Sequence, residues 1–193
     1  MKRIVMHWTA GQNTPSNLDK EHYHYIVDGA GNVHRGKFPV SSNIRPEKGK
    51  YAAHTLNLNT GSIGVAVAAM AGAVEHPFNA GKQPITKAQV SGLVGLCADL
   101  AREYGIDVTR ETILSHAEVQ PTLKVQQRGK WDIAWLPGMT APGDPVRVGD
   151  ELRAMIRTAM QPAVDHVPEP SRPTNFWADL IKAIMAIFRG NKA

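Results

Sequence analysis

The chain holds eight histidines, at His7, His22, His24, His34, His54, His76, His116 and His166. A neutral imidazole can bind a metal or move a proton, but most histidines are structural or solvated, so position has to decide. Two positions stand out. His7 closes the apolar run Ile4-Val5-Met6 and precedes Trp8-Thr9-Ala10-Gly11, and His116 closes Ile113-Leu114-Ser115. Histidines at the ends of two short apolar strands can converge at one edge of a sheet. A carboxylate from a later loop, with Asp132 in Gly129-Lys130-Trp131-Asp132 the obvious candidate, would complete a three-ligand zinc site that leaves the fourth position to water. On spacing alone the three are scattered, and ordinary core or surface histidines are the simpler reading.

Competing motifs fail. His116-Ala117-Glu118 matches the start of the zinc nucleobase-deaminase signature, which also requires Pro-Cys-x-x-Cys downstream. The only cysteine, Cys97, lies upstream, and Pro121 is followed by Thr122. Neither a His-Glu-x-x-His helix nor a Gly-x-x-x-x-Gly-Lys phosphate loop is present. Cys97 sits in the apolar run 92–98 and reads as a small buried hydrophobe rather than a reactive thiol. A lone cysteine also excludes an intrachain disulfide.

The elements that would position these residues follow from patterning. Ile4–Trp8 reads as a strand. Tyr23–Val27 and Val33–Arg35 flank Asp28-Gly29-Ala30-Gly31-Asn32 and read as a hairpin, with His24 on the opposite strand face from Tyr23. Ser62–Ala68 reads as a buried strand, 112–115 as another, and the Pro-, Gly-, Ser- and Asn-rich stretch 37–61 as loop. Thr86 and Gln89 form a capping box ahead of an amphipathic helix over 87–104, with Gly105 as its C-terminal cap. Asp144-Pro145 starts a second helix, from about 145 to 160, in which Gly149 is a weak point. Prolines 162, 168, 170 and 173 mark 162–175 as a stiff linker. Beyond it, 176–189 reads as a short amphipathic helix rich in Phe, Trp, Leu and Ile.

Bulk properties narrow the partner. A net charge of +5 and a pI of about 9.4 point to an anionic one, whether nucleic acid, a membrane surface or an acidic wall polymer. After the basic start Lys2-Arg3, the apolar stretch ends at Met6, short of the roughly 7–15 residues of a secretory core. The expectation is synthesis in the cytoplasm without a signal peptide. No stretch approaches the roughly 20 apolar residues of a membrane-spanning helix.

Five segments, in order, resemble one family: the zinc N-acetylmuramoyl-L-alanine amidases related to peptidoglycan recognition proteins and phage lysins. Ile4-Val5-Met6-His7-Trp8-Thr9-Ala10-Gly11 resembles its first-ligand motif, and Tyr23-His24-Tyr25-Ile26-Val27 its Tyr-His hairpin. Ala53-His54-Thr55 with Asn59 and Ser62-Ile63-Gly64-Val65 resembles its cleft segment. Ser115-His116-Ala117-Glu118-Val119 resembles the second-histidine motif, and Lys130-Trp131-Asp132 the last ligand motif. The resemblance spans about residues 3–140. Two features depart from the compact phage members: a longer stretch from His116 to Asp132, and Asp in place of Cys as third ligand. Asp144 is the alternative third ligand.

The resemblance implies an α/β fold, a mixed central β-sheet flanked by helices, in residues 1–161. It implies Zn2+ bound by His7, His116 and Asp132, with Tyr23 and Lys130 catalytic and His54, Thr55 and Asn59 against substrate. It implies hydrolysis of the amide between the lactyl group and L-alanine, with peptidoglycan and no nucleic acid as partner, acting on the cell wall after release. An endolysin is the expected role; a cytosolic muropeptide-recycling amidase and a non-catalytic peptidoglycan-binding module are the rivals. The segment 176–188, too short to span a bilayer, is expected either to lie on a membrane or to dock on the domain.

Overall fold

Apolar runs without alternation need cover on both faces, which is the environment of a central parallel strand. Ile4–Trp8 and Ser62–Val67 are such runs. In the structure, a computed structural model that describes residues 1–161, they lie side by side at the centre of a five-stranded sheet. The expected linker 162–175, the expected helix 176–189 and His166 lie outside the described residues.

In chain order the elements are β1 (Arg3–Trp8), α1 (Asn17–His22), β2 (Tyr25–Val27), β3 (Val33–Arg35) and a 3-10 turn (Val40–Asn43). There follow β4 (Ser62–Val67), α2 (Lys87–Tyr104), β5 (Ile113–Ser115), α3 (His116–Leu123) and α4 (Pro145–Met160). The sheet order is β3-β2-β4-β1-β5. All neighbours are parallel except the β2–β3 hairpin, so the sheet is mixed, as expected.

Alternation along β1 sorts the two faces. Ile4, Met6 and Trp8 enter the main core with Leu93, Cys97 and Leu100 of α2 and Leu152 and Ile156 of α4. Val5 points the other way, into a smaller cluster with Leu114 and Val119 of α3. His7 shares the face of Val5. On that face β4 presents Gly64 and Ala66, in register with Val5 and His7. Small residues there leave a shallow floor.

Caps fix the ends of the two long helices. Thr86 and Gln89 make the expected capping box, and Gly105 takes the left-handed conformation that ends α2 (φ 61°). The buried Gln89 amide also donates to the carbonyls of Val27 and Ala68, tying α2 to the sheet. Asp144 accepts from the Arg147 amide and starts α4 with Pro145 behind it.

Three expectations need correction. First, α1 and α3 were not foreseen as helices. Neither shows helical apolar periodicity: α1 buries no residue, and α3 has eight residues with Pro121 inside. Second, Tyr23 is the C-cap of α1 and not a strand residue, so the strand alternation that sets His24 opposite it does not apply. Third, Gly149 is not simply a weak point of α4. A Cβ there would collide with the Glu118 carboxylate, which forms a fully buried ion pair with Arg153, one turn further along α4, at 2.7 Å.

Candidate metal centre

The ends of β1 and β5, adjacent and parallel, deliver the two histidines. His7 is the fifth residue of β1 and fully buried. Ser115 ends β5 and is also the N-cap of α3, its side chain accepting from the Glu118 amide while Glu118 accepts from the Ser115 amide at 2.7 Å. That capping box turns the chain sharply, and His116 becomes the first residue of the helix. Glu118 is clamped by Arg153, whose guanidinium also donates to the Ile113 carbonyl at 2.9 Å. The turn that carries His116 is thus braced from α4.

Asp132 comes from the loop between α3 and α4. Its carbonyl accepts from the Ala117 amide at 3.2 Å, and the neighbouring Trp131 packs edge-on against Trp8 at 4.5 Å between ring centres. The loop is therefore held at the ends of β1 and α3 together.

These supports bring three donor atoms to one point. His7 Nδ1 lies 3.0 Å from His116 Nδ1 and 3.2 Å from Asp132 Oδ2, and His116 Nδ1 lies 3.0 Å from the same oxygen. Among the described residues this is the one group of three such ligands close enough to share an ion. Tetrahedral zinc with ligands about 2.0–2.2 Å away would set them roughly 3.3 Å apart, so nitrogen, nitrogen and carboxylate oxygen suit that ion in type and spacing. Asp144, the alternative third ligand, instead caps α4.

The electrostatics agree with a cation site. Burial alone would raise the Asp132 carboxyl, but hydrogen bonds from His116 and His7 outweigh it and hold it well below the usual carboxylate range. Burial lowers His7 to about 4, against the pull of Asp132, so its ring is neutral and free to ligate.

His116 and Asp132 line a cleft of about 500 Å³, and His7 lies buried beside them. His54, Thr55, Asn59, Tyr23, Arg128 and Lys130 line it. His54 and Thr55 are nearly buried and sit behind His7: His7 Nε2 is 3.3 Å from both His54 Nδ1 and Thr55 Oγ1. Asn59 holds their loop, its Oδ1 accepting from the amides of His54 (3.0 Å) and Thr55 (2.9 Å). Gly64 makes the arrangement possible, since a Cβ there would overlap the His54 ring. The Tyr23 ring is 5.2 Å from that of His7, and its hydroxyl donates to the Trp8 carbonyl at 3.5 Å. Burial, then Asp132 and Asp19, push the Tyr23 phenol far above its ordinary range. Lys130 is exposed on the cleft rim.

Residues 1–139 match the N-acetylmuramoyl-L-alanine amidase family. The chain belongs to that family. No curated protein matches it. Among solved structures it is similar to the N-acetylmuramoyl-L-alanine amidase LysC from Clostridium intestinale URNW, at 19% identity over 81% of this chain and 85% of that one, with a TM-score of 0.48. It is similar to the amidase AmiD from E. coli at 22% identity, over 61% of this chain and 48% of that one, TM-score 0.42. A bumblebee peptidoglycan recognition protein is similar at 12% identity, over 74% and 78%, TM-score 0.44.

Three residues that support this cluster carry no clear signal in the sequence. Glu118 appears only as a neighbour of His116 in the deaminase and second-histidine motifs, Arg153 shows only a basic residue on a helix, and Gln127 lies in the longer stretch before Asp132 with no spacing rule to single it out. The Ser115-x-x-Glu118 pattern was the one available signal for a helix beginning at His116.

Proposed function

We propose that the protein is a zinc-dependent N-acetylmuramoyl-L-alanine amidase that cuts the lactyl–L-alanine amide of peptidoglycan as a phage or prophage endolysin. The observation that carries this reading is the convergence of His7, His116 and Asp132 on one point beside an open cleft that His116 and Asp132 line, within a chain of the amidase family.

A zinc ion held by these three residues would polarise the scissile carbonyl and lower the pKa of water to about 7. The chain's own groups would do the rest. Lys130, on the rim, supplies positive charge to the oxyanion that develops on the lactyl carbonyl. The leaving amine departs only once protonated. Tyr23 remains a phenol at neutral pH, so its hydroxyl can orient the attacking water or relay a proton to that nitrogen. His54, Thr55 and Asn59 shape the cleft wall on which the substrate rests.

The test is mass spectrometry of purified peptidoglycan digested with the zinc-loaded protein beside a His116→Ala control. Stem peptides with a new N-terminal L-alanine are expected, and none in the control. Cleavage of soluble muropeptides but not of intact sacculi would make the protein a recycling amidase. Wall binding without new termini would make it a binding module and remove the roles given to Tyr23 and Lys130.

A further inference from the structure

We infer that Gln127 is a positioning residue for the metal ligand His116, selecting the ring tautomer that offers Nδ1 to the ion; the inference rests on the metal centre proposed above. Gln127 lies in the loop between His116 and Asp132 and is buried, at 3% exposure. Its Oε1 is 2.8 Å from His116 Nε2, the nitrogen facing away from the ligand cluster.

Which way the amide points follows from its other neighbours. Gln127 Nε2 is 2.9 Å from the Leu56 carbonyl and 3.4 Å from that of Val125. Carbonyls only accept, so the NH2 end must face them and the oxygen must face His116. An oxygen there can only accept, so this contact favours the tautomer with the proton on Nε2 and the lone pair on Nδ1. Asp132 works the other way. Its carboxylate, 3.0 Å from Nδ1, draws a proton to that nitrogen through a charge-assisted bond. Gln127 offsets this pull. It is held from two sides, by Leu56 next to the His54–Thr55 wall and, at its own amide, by Gln120 Oε1 on α3 at 3.0 Å. The bond therefore also ties the His116 ring to the cleft wall that backs His7.

Outer partners of this kind are typically worth about 10–100-fold in metal affinity. The experiment measures zinc affinity by competition with a chromogenic chelator, with thermal melts as the check on folding. Gln127→Met keeps the shape and removes the acceptor, so zinc binding should weaken by about 10–100-fold. In the zinc-loaded wild type, NMR should find the His116 ring proton on Nε2 in slow exchange, and in Gln127→Met it should exchange faster. Wild-type affinity in Gln127→Met overturns the inference, as does a His116 ring proton that exchanges no faster in Gln127→Met than in the wild type. If Gln127→Met does not fold, the wild-type ring proton still decides, and a rapidly exchanging proton counts against the inference. A wild type that takes up no zinc is a different failure, that of the metal centre itself.

Discussion

A buried neutral imidazole with both nitrogens bonded resists protonation, and His24 shows what that does to stability. Its Nδ1 accepts from the Gly64 amide at 2.9 Å, and its Nε2 donates to Asn43 Oδ1 at 3.1 Å. Burial lowers its pKa from 6.5 to about 4. The unfolded chain therefore binds a proton between pH 6.5 and 4 that the folded chain refuses. The contribution of His24 is complete above pH 6.5 and is lost as pH falls through 4, by about 3 kcal/mol. His24→Gln removes this titration, so the stability gap between wild type and variant should narrow by about that amount between pH 7 and 4. Urea unfolding at several pH values measures it; a gap that does not change with pH would refute the assignment. The sequence made His24 look like part of a Tyr-His motif but not like a buried strut, because its partners, Asn43 and Gly64, are distant in the chain. His7, His116 and Asp132 were legible only through five ordered segments, since they converge in space and not in spacing. Gln127 was illegible for the same reason: a polar loop residue acquires its meaning from the ring it faces.

Two helical glycines look alike in the sequence and should behave oppositely. Glycine inside a helix ordinarily costs about 0.5–1 kcal/mol relative to alanine. At Gly95 of α2 a Cβ meets nothing within 4 Å, so Gly95→Ala should stabilise the fold by about that amount. At Gly149 of α4 a Cβ would strike the Glu118 carboxylate, and the buried Glu118–Arg153 pair has little room to shift. Gly149→Ala should therefore destabilise, by about 1–3 kcal/mol. Thermal melts of the two variants check the pair, and equal shifts of the same sign would show that the Glu118 clamp is not rigid. Elements with strong local signals were readable beforehand. The capping box and periodicity of α2 set its bounds at Lys87 and Tyr104, and the apolar runs of β1 and β4 announced central strands. What was hidden was α1 and α3, which are too short to show a period: α1 is held by its capping box, and α3 by its capping box, the Glu118–Arg153 pair and the single apolar anchor Val119.

Charge and apolar surface are divided unevenly along the whole chain. Residues 162–193 hold Arg172, Lys182, Arg189 and Lys192 against Asp165, Glu169 and Asp179, so most of the net +5 belongs to residues 1–161. The same stretch holds Phe176, Trp177, Leu180, Ile181, Ile184, Met185, Ile187 and Phe188. Full burial of one such side chain is worth about 1.5–3 kcal/mol, whereas one charge at an anionic bilayer is worth about 1 kcal/mol and is screened by salt. Contact of 176–188 with a membrane would therefore be apolar in origin and salt-resistant, and that of 1–161 electrostatic and salt-sensitive. Among the described residues, the candidate ligands, the clamp on α3 and the buried face of α4 all lie before Gln161. A chain ending at Gln161 should match the full chain in zinc content, melting temperature with zinc and cleavage of soluble muropeptide. In sedimentation with phosphatidylglycerol vesicles, the full chain should stay bound in salt concentrated enough to shorten the screening length to about 3 Å, and the shortened chain should not. Equal release of both by salt would reduce the attraction to the charge of residues 1–161 and leave 176–188 no part in membrane contact.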